Sequence, residues 1–230
     1  MNRTLGSAFW ALALCVLAGT AWSADGAFNF REGRQYAVLP VAQPTQVAPG
    51  KVEVTEIFSY GCPACYKFQP TMQQLEKALP ANAQLVFVHA AWNKSESWPM
   101  FQRAFITAQV LGIAQKSHQA MFDAIWGNNG PLATIDPRTG GLKRPQPTIE
   151  DVARFHASRH DCTEEQFLAA SKSFAVDTRM RQFDKLIKGY MVPSTPCLVV
   201  GGRYRIDLSM LSSQAELDAL VRFLVQKAAA

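Results

Sequence analysis

Residues 51–65 read Lys-Val-Glu-Val-Thr-Glu-Ile-Phe-Ser-Tyr-Gly-Cys-Pro-Ala-Cys. Lys51 to Tyr60 alternates and is rich in β-formers, so it reads as a strand. Gly61 turns the chain. Cys62 to Leu79 then shows helical spacing through Phe68, Met72, Leu75 and Leu79. Cys62 falls near the N-cap and Pro63 at the first helical position, where proline is favoured. Pro70 lies inside this helix and is expected to kink it. The segment therefore predicts a Cys-x-x-Cys pair at the positive end of a helix, with Cys62 exposed and Cys65 shielded one turn in. That asymmetry suits dithiol exchange. The first sulfur must be a reachable thiolate, and the second must resolve a mixed disulfide without being attacked itself.

Magnitudes show what such a site needs. Lowering a thiol pKa from about 8.5 to about 4 is worth roughly 6 kcal/mol, of which a helix dipole supplies at most about 2. Backbone N–H groups and the Cys65 thiol must contribute the rest as hydrogen bonds to sulfur. On the strand below, Glu56 lies six residues before Cys62. If Val54 and Phe58 face the core, Glu56 shares their side, is buried, and has a raised pKa suited to passing protons with Cys65. The alternative is a solvent-facing strand residue.

Near the other end stands Ser194-Thr195-Pro196, then Cys197-Leu-Val-Val, Gly201-Gly202 and Arg203-Tyr-Arg-Ile. Two short strands across a Gly-Gly turn predict a hairpin. A proline heading a strand is expected to be cis, leaving a backbone edge at Thr195 for an extended substrate; the alternative is an ordinary trans proline.

Between these motifs the pattern changes. Gln84–Ala90 reads as a second strand, apolar enough to be central. Residues 98–126, 149–157 and 164–188 carry helical periodicity, and Gly127–Pro147 is a Gly- and Pro-rich surface loop. Gln35–Leu39 is a short strand candidate, and Gln214–Lys227 is an amphipathic helix. The order predicts one α/β domain (residues 24–94 and 174–230) carrying an all-helical insertion (95–173) that shapes access.

The chain has 230 residues, 48% of them hydrophobic and 18% charged, which excludes a disordered chain. Its net charge of +5 is scattered, so nucleic-acid binding is not expected. Asn2-Arg3, an apolar stretch from Ala8 to Gly19, and small residues at Ala21 and Ser23 predict a signal peptide over 1–23, cleaved near Ser23. An uncleaved anchor is the alternative. Cys15 would leave with the signal. Cys62, Cys65, Cys162 and Cys197 would then meet an oxidising compartment, too few for a disulfide scaffold in a chain of this size. A Cys-x-x-Cys can also open a zinc site, but the only further ligand candidates are His156, His160 and Cys162. Among Arg154, Arg159 and Asp161 these read as a solvated helix end. No metal and no cofactor are expected.

FSYGCPAC, KSFAVDTRM and VPSTPCLVVGGRYRID, in this order, resemble the DsbA family of periplasmic thiol oxidases over about residues 50–208. The resemblance implies a thioredoxin-like fold with an inserted helical domain. It implies Cys62 as nucleophile, Cys65 as resolving thiol, Glu56 as buried acid and Pro196 as the cis-proline. Thr195, Pro63 and Ala64 would meet the substrate. It further implies a periplasmic monomer that donates its disulfide to newly exported, unfolded cysteine-containing proteins and is reoxidised by a DsbB-like membrane partner. The family's best-known members carry His where this chain has Ala64, so a somewhat less oxidising couple is expected. Cys197 is either a small core residue or a thiol able to trap Cys62. Cys162 reads as a buried apolar residue, a Cys162–Cys197 bridge being the alternative. The loop at 127–147 looks longer than in many members. Tyr60, Tyr66, Trp92 and Trp98 could form a groove for unfolded chains or belong to the core. Competing functions are a disulfide reductase or isomerase on the same fold, or a non-redox binding protein. Only 38 residues separate Ser23 from Cys62, too few for the dimerisation module of the periplasmic isomerases.

Overall fold

The structure is a computed structural model that describes residues 28–230. The signal segment, its cleavage near Ser23 and Cys15 lie outside the described residues. The described elements, in order, are β1 (Tyr36–Val38), β2 (Val52–Phe58), α1 (Pro63–Ala78), β3 (Ala83–His89), α2 (Trp98–Val110), α3 (Ala114–Trp126), α4 (Ile149–Ser158), α5 (Glu164–Ser171), α6 (Phe174–Gly189), β4 (Cys197–Val200), β5 (Tyr204–Ile206) and α7 (Gln214–Ala229).

The strands form one sheet in the order β1-β5-β4-β2-β3, with β2 and β3 parallel and every other pairing antiparallel. All seven residues of β2 are buried, because the strand has a neighbour on each side and helices on both faces. Alternate residues of β4 show the two faces. Cys197 and Val199 join the core under the helical segment, while Leu198 and Val200 join the core under α1 and α7. β3 is at the sheet's edge, not central as its apolar run suggested. Apolarity reports which faces are covered, and here it reports packing beside α1 and the inserted helices rather than a place in the middle of the ladder.

Each predicted helix is present, two of the periodic stretches as pairs. Residues 98–126 break at Gly112, whose φ of +69° ends one helix and admits the next. Residues 164–188 break at Ser173, which caps α6 by accepting from the Val176 N–H. α1 runs through Pro70 to Ala78 as a single helix. In the β4–β5 hairpin Gly201 and Gly202 both have positive φ, as a tight two-strand turn requires. The long loop after α3 folds back on itself through an Ile135–Leu142 bridge and contains a cis Arg144–Pro145 bond. The whole is a thioredoxin-like fold with an all-helical insertion between β3 and α6.

Candidate active site

β2 ends at Phe58, and the chain must turn before α1 begins. Cys62 donates its N–H to the Ser59 carbonyl at 3.0 Å, and Gly61 donates to Ser59 Oγ at 3.1 Å. Cys62 is then the N-cap of α1, with extended backbone (φ −97°, ψ 113°) and Pro63 at the first position. Its sulfur takes the role a serine oxygen usually fills, accepting from the Cys65 N–H at 3.4 Å. The first turn of α1 holds no acidic side chain, so nothing there competes with a thiolate for the helix's positive end.

The second wall is the loop before β4. The Thr195–Pro196 bond is cis, and the Thr195 carbonyl lies 3.5 Å from Cys62 Sγ. The structure thus brings Cys62 and Cys65 together with Thr195 and Pro196, Cys62 and Thr195 lying 133 residues apart in the chain. Pro63 and Ala64 are exposed. Cys62 is not: it is only 6% exposed, against 0% for Cys65. The asymmetry runs in the expected direction but is small, because the loop bearing Thr195 closes over the sulfur.

All four described cysteines are free. The Cys62 thiol is lowered to about 6. The hydrogen bond from the Cys65 thiol is the main cause, opposed by burial and assisted by the Thr195 side chain and by the backbone N–H groups of Cys65 and Ala64. The Cys65 thiol is pushed strongly upward, first by burial and then by its bond to Cys62. Glu56 is fully buried under the dithiol, with neither carboxyl oxygen hydrogen-bonded among the described residues. Burial first, and the Cys62 charge second, raise its pKa to about 8, so the acid is protonated at neutral pH.

Cys197 is 4% exposed and is the ladder partner of Ile57. Its sulfur points toward its neighbour's carbonyl, and burial pushes the thiol up to about 12. It is a small core residue. Cys162 is half-buried against the helical core, and no disulfide joins it to Cys197. His156 is buried, bonded to Asp161 at 3.1 Å and stacked on Phe167. Of the four aromatics, Tyr60 and Trp98 are core and Tyr66 is half-buried. Trp92 alone is exposed, its ring 5.9 Å from that of Trp98.

The sequence reading missed a buried polar cluster behind the turn. The Tyr60 N–H donates to His89 Nε2 at 2.9 Å, Trp126 Nε1 donates to the Tyr60 carbonyl at 2.7 Å, and the Tyr60 hydroxyl meets His118 Nδ1 at 3.1 Å. Burial lowers both histidines to about 3, so both are neutral. Glu53, also fully buried on β2, was missed too; it accepts from Thr55 Oγ1 at 2.7 Å. A histidine ending an apolar strand was the one available signal.

No protein-family model matches the chain. It is 32% identical over 216 residues to the thiol:disulfide interchange protein DsbA of Pseudomonas aeruginosa, covering 94% of this chain and 92% of that one. It is 32% identical over 219 residues to the protein of the same name from Azotobacter vinelandii, covering 92% and 94%. Among solved structures, the crystal structure of P. aeruginosa DsbA superposes with a TM-score of 0.70 at 31% identity, over 89% of this chain and 95% of that one. The oxidoreductase DsbA of Xylella fastidiosa superposes at 0.72 with 26% identity, over 87% and 98%.

Proposed function

The chain belongs to the DsbA family of thiol:disulfide interchange proteins, and from that membership we propose that it is a disulfide donor to newly exported, unfolded proteins. Membership of that family makes it a thiol:disulfide oxidoreductase. One observation carries the donor reading: Cys62 Sγ sits at a helix N-cap, hydrogen-bonded by Cys65, beside the Thr195 backbone.

In the oxidised protein a substrate thiolate attacks Cys62 Sγ, and the Cys62–Cys65 bond breaks. Cys65 leaves as a thiolate in a site that disfavours the charge, and it takes the proton of Glu56. A second substrate thiolate then attacks the substrate sulfur of the mixed disulfide. The substrate gains its disulfide, and Cys62 departs as the stabilised thiolate, so two electrons now reside on the dithiol. Reoxidation by a DsbB-like membrane protein returns them. Pro196 and the Thr195 backbone hold the substrate extended beside the sulfur, and the exposed Pro63, Ala64 and Trp92 meet its side chains. The thioredoxin-like domain comprises 24–94 and 174–230 and the insertion 95–173. Residues 1–23 direct a monomeric protein to the periplasm.

The test is the reduction potential of the Cys62–Cys65 pair, equilibrated against glutathione with Cys162 and Cys197 replaced. The best-known relatives lie near −120 mV, a figure belonging to them rather than to this chain; a donor here is expected above about −200 mV. A value near −270 mV, where thioredoxin lies, would make the protein a reductase and overturn this reading. Cys65→Ser has no disulfide to donate, so it should fail to oxidise a reduced substrate, while its Cys62 thiolate should attack a disulfide already present on a substrate, release one substrate thiolate and remain trapped as the mixed disulfide.

A further inference from the structure

The turn that carries Cys62 is held from outside. Once β2 ends at Phe58, both backbone polar atoms of Tyr60 lack ladder partners, and both are met by side chains. His89 at the end of β3 accepts the N–H, and Trp126 at the end of α3 donates to the carbonyl. The Tyr60 hydroxyl reaches His118, also on α3. Two of these three contacts come from the helical insertion. On the far side of the turn the indole of Trp98, from α2, lies against Gly61.

We propose that the helical insertion sets the reactivity of Cys62 through Tyr60, with Trp126 as a positioning residue for the redox couple. This rests on the reading of Cys62 as the reacting thiol. The Tyr60 carbonyl belongs to the Tyr60–Gly61 peptide plane. The N–H of that plane bonds Ser59 Oγ, and the Ser59 carbonyl accepts from Cys62. Rotation of that plane displaces the Cys62 sulfur from the Cys65 N–H, which donates to it at 3.4 Å and favours the thiolate. Trp126 Nε1 holds the plane. Trp126 is only half-buried, so its N–H can be removed without emptying the core.

The experiment uses the full exported chain. Cys62 is alkylated with iodoacetamide from pH 4 to 8, the adduct is located by mass spectrometry, and the melting temperature is recorded alongside. Trp126→Phe keeps an aromatic ring and loses the donor; Trp126→Gln loses the ring and keeps an N–H donor. Trp126→Phe is expected to raise the midpoint of the alkylation profile by about half a unit, which lowers the rate at pH 6 about twofold. Trp126→Gln should remain closer to the parent midpoint. A profile unchanged in Trp126→Phe, or a larger shift in Trp126→Gln than in Trp126→Phe, overturns the proposal and leaves Trp126 a packing residue. Oxidation of a reduced substrate by the parent protein is measured in parallel. Its absence would remove the donor reading while the alkylation profiles still decide this one.

Discussion

The indole of Trp98 occupies the space a Cβ on Gly61 would need: that atom would stand 2.6 Å from both Cδ1 and Nε1. Trp98 is 8% exposed and packed in the helical core, so it cannot swing away freely. Gly61→Ala is therefore expected to destabilise the protein by about 1–3 kcal/mol, the usual scale for overpacking. Oxidase activity should fall with it, because Cys62 is the next residue. Denaturant unfolding measures the first effect, and an unchanged midpoint would show that the indole yields at no cost.

The thiolate of Cys62 should appear as a break in the potential. Below its pKa of about 6 both thiols gain protons on reduction, and the potential falls about 59 mV per pH unit. Above it only Cys65 does, and the slope halves to about 30 mV per unit. At pH 7 the thiolate favours the reduced form by about 1.4 kcal/mol, or about 30 mV, whereas a pKa of 4 would have given about 90 mV. Ala64 offers no cation to push the thiol lower. Glutathione equilibria from pH 5 to 8 test this, and a single steep slope throughout would contradict it.

Glu56 should make the protein less stable as pH rises. Its folded pKa, about 8, lies above its ordinary 4.5, so between these values the folded chain holds a proton that the unfolded chain has lost. The stabilising proton is fully counted below pH 4.5 and lost as pH passes 8, a change on the order of 3–5 kcal/mol. Glu56→Gln removes this dependence. Its melting temperature should exceed that of the parent by several degrees at pH 8 and by little at pH 5. Equal differences at both pH values would argue against a buried, titrating acid.

Cys197 should be chemically silent. Cys197 is 4% exposed, hardly less than Cys62 at 6%, so the thiols themselves separate the two: burial pushes Cys197 up to about 12, while Cys62 is lowered to about 6. Iodoacetamide at pH 7 should modify Cys62 in the reduced native protein and leave Cys197 unmodified until the chain is unfolded. Comparable labelling of the two in the native state, located by peptide mass, would refute this.

The site and the fold were legible to different depths. The strand, turn and helix around Cys62 and the cis bond before Pro196 could all be read along the chain, as could the side of the strand that Glu56 shares with Val54 and Phe58. Each is a local signal: a period of two, a proline at N1, a proline heading a strand, a Gly-Gly turn. Those signals depend on a few bonded neighbours, and packing did not override them.

What they could not give was anything settled by segments distant in sequence. β3 became an edge strand because β4, more than a hundred residues later, took the other side of β2. Cys62 became nearly closed because the Thr195 loop returned to cover it. Tyr60 became the hub of a buried cluster because His89, His118 and Trp126 arrived from β3 and α3. Local patterns along the chain were enough to nominate the residues proposed for the chemistry and to place the strand, turn and helix that present them. The tertiary structure decided how open, how charged and how firmly held they are, since burial and long-range hydrogen bonds exist only once distant segments have packed together.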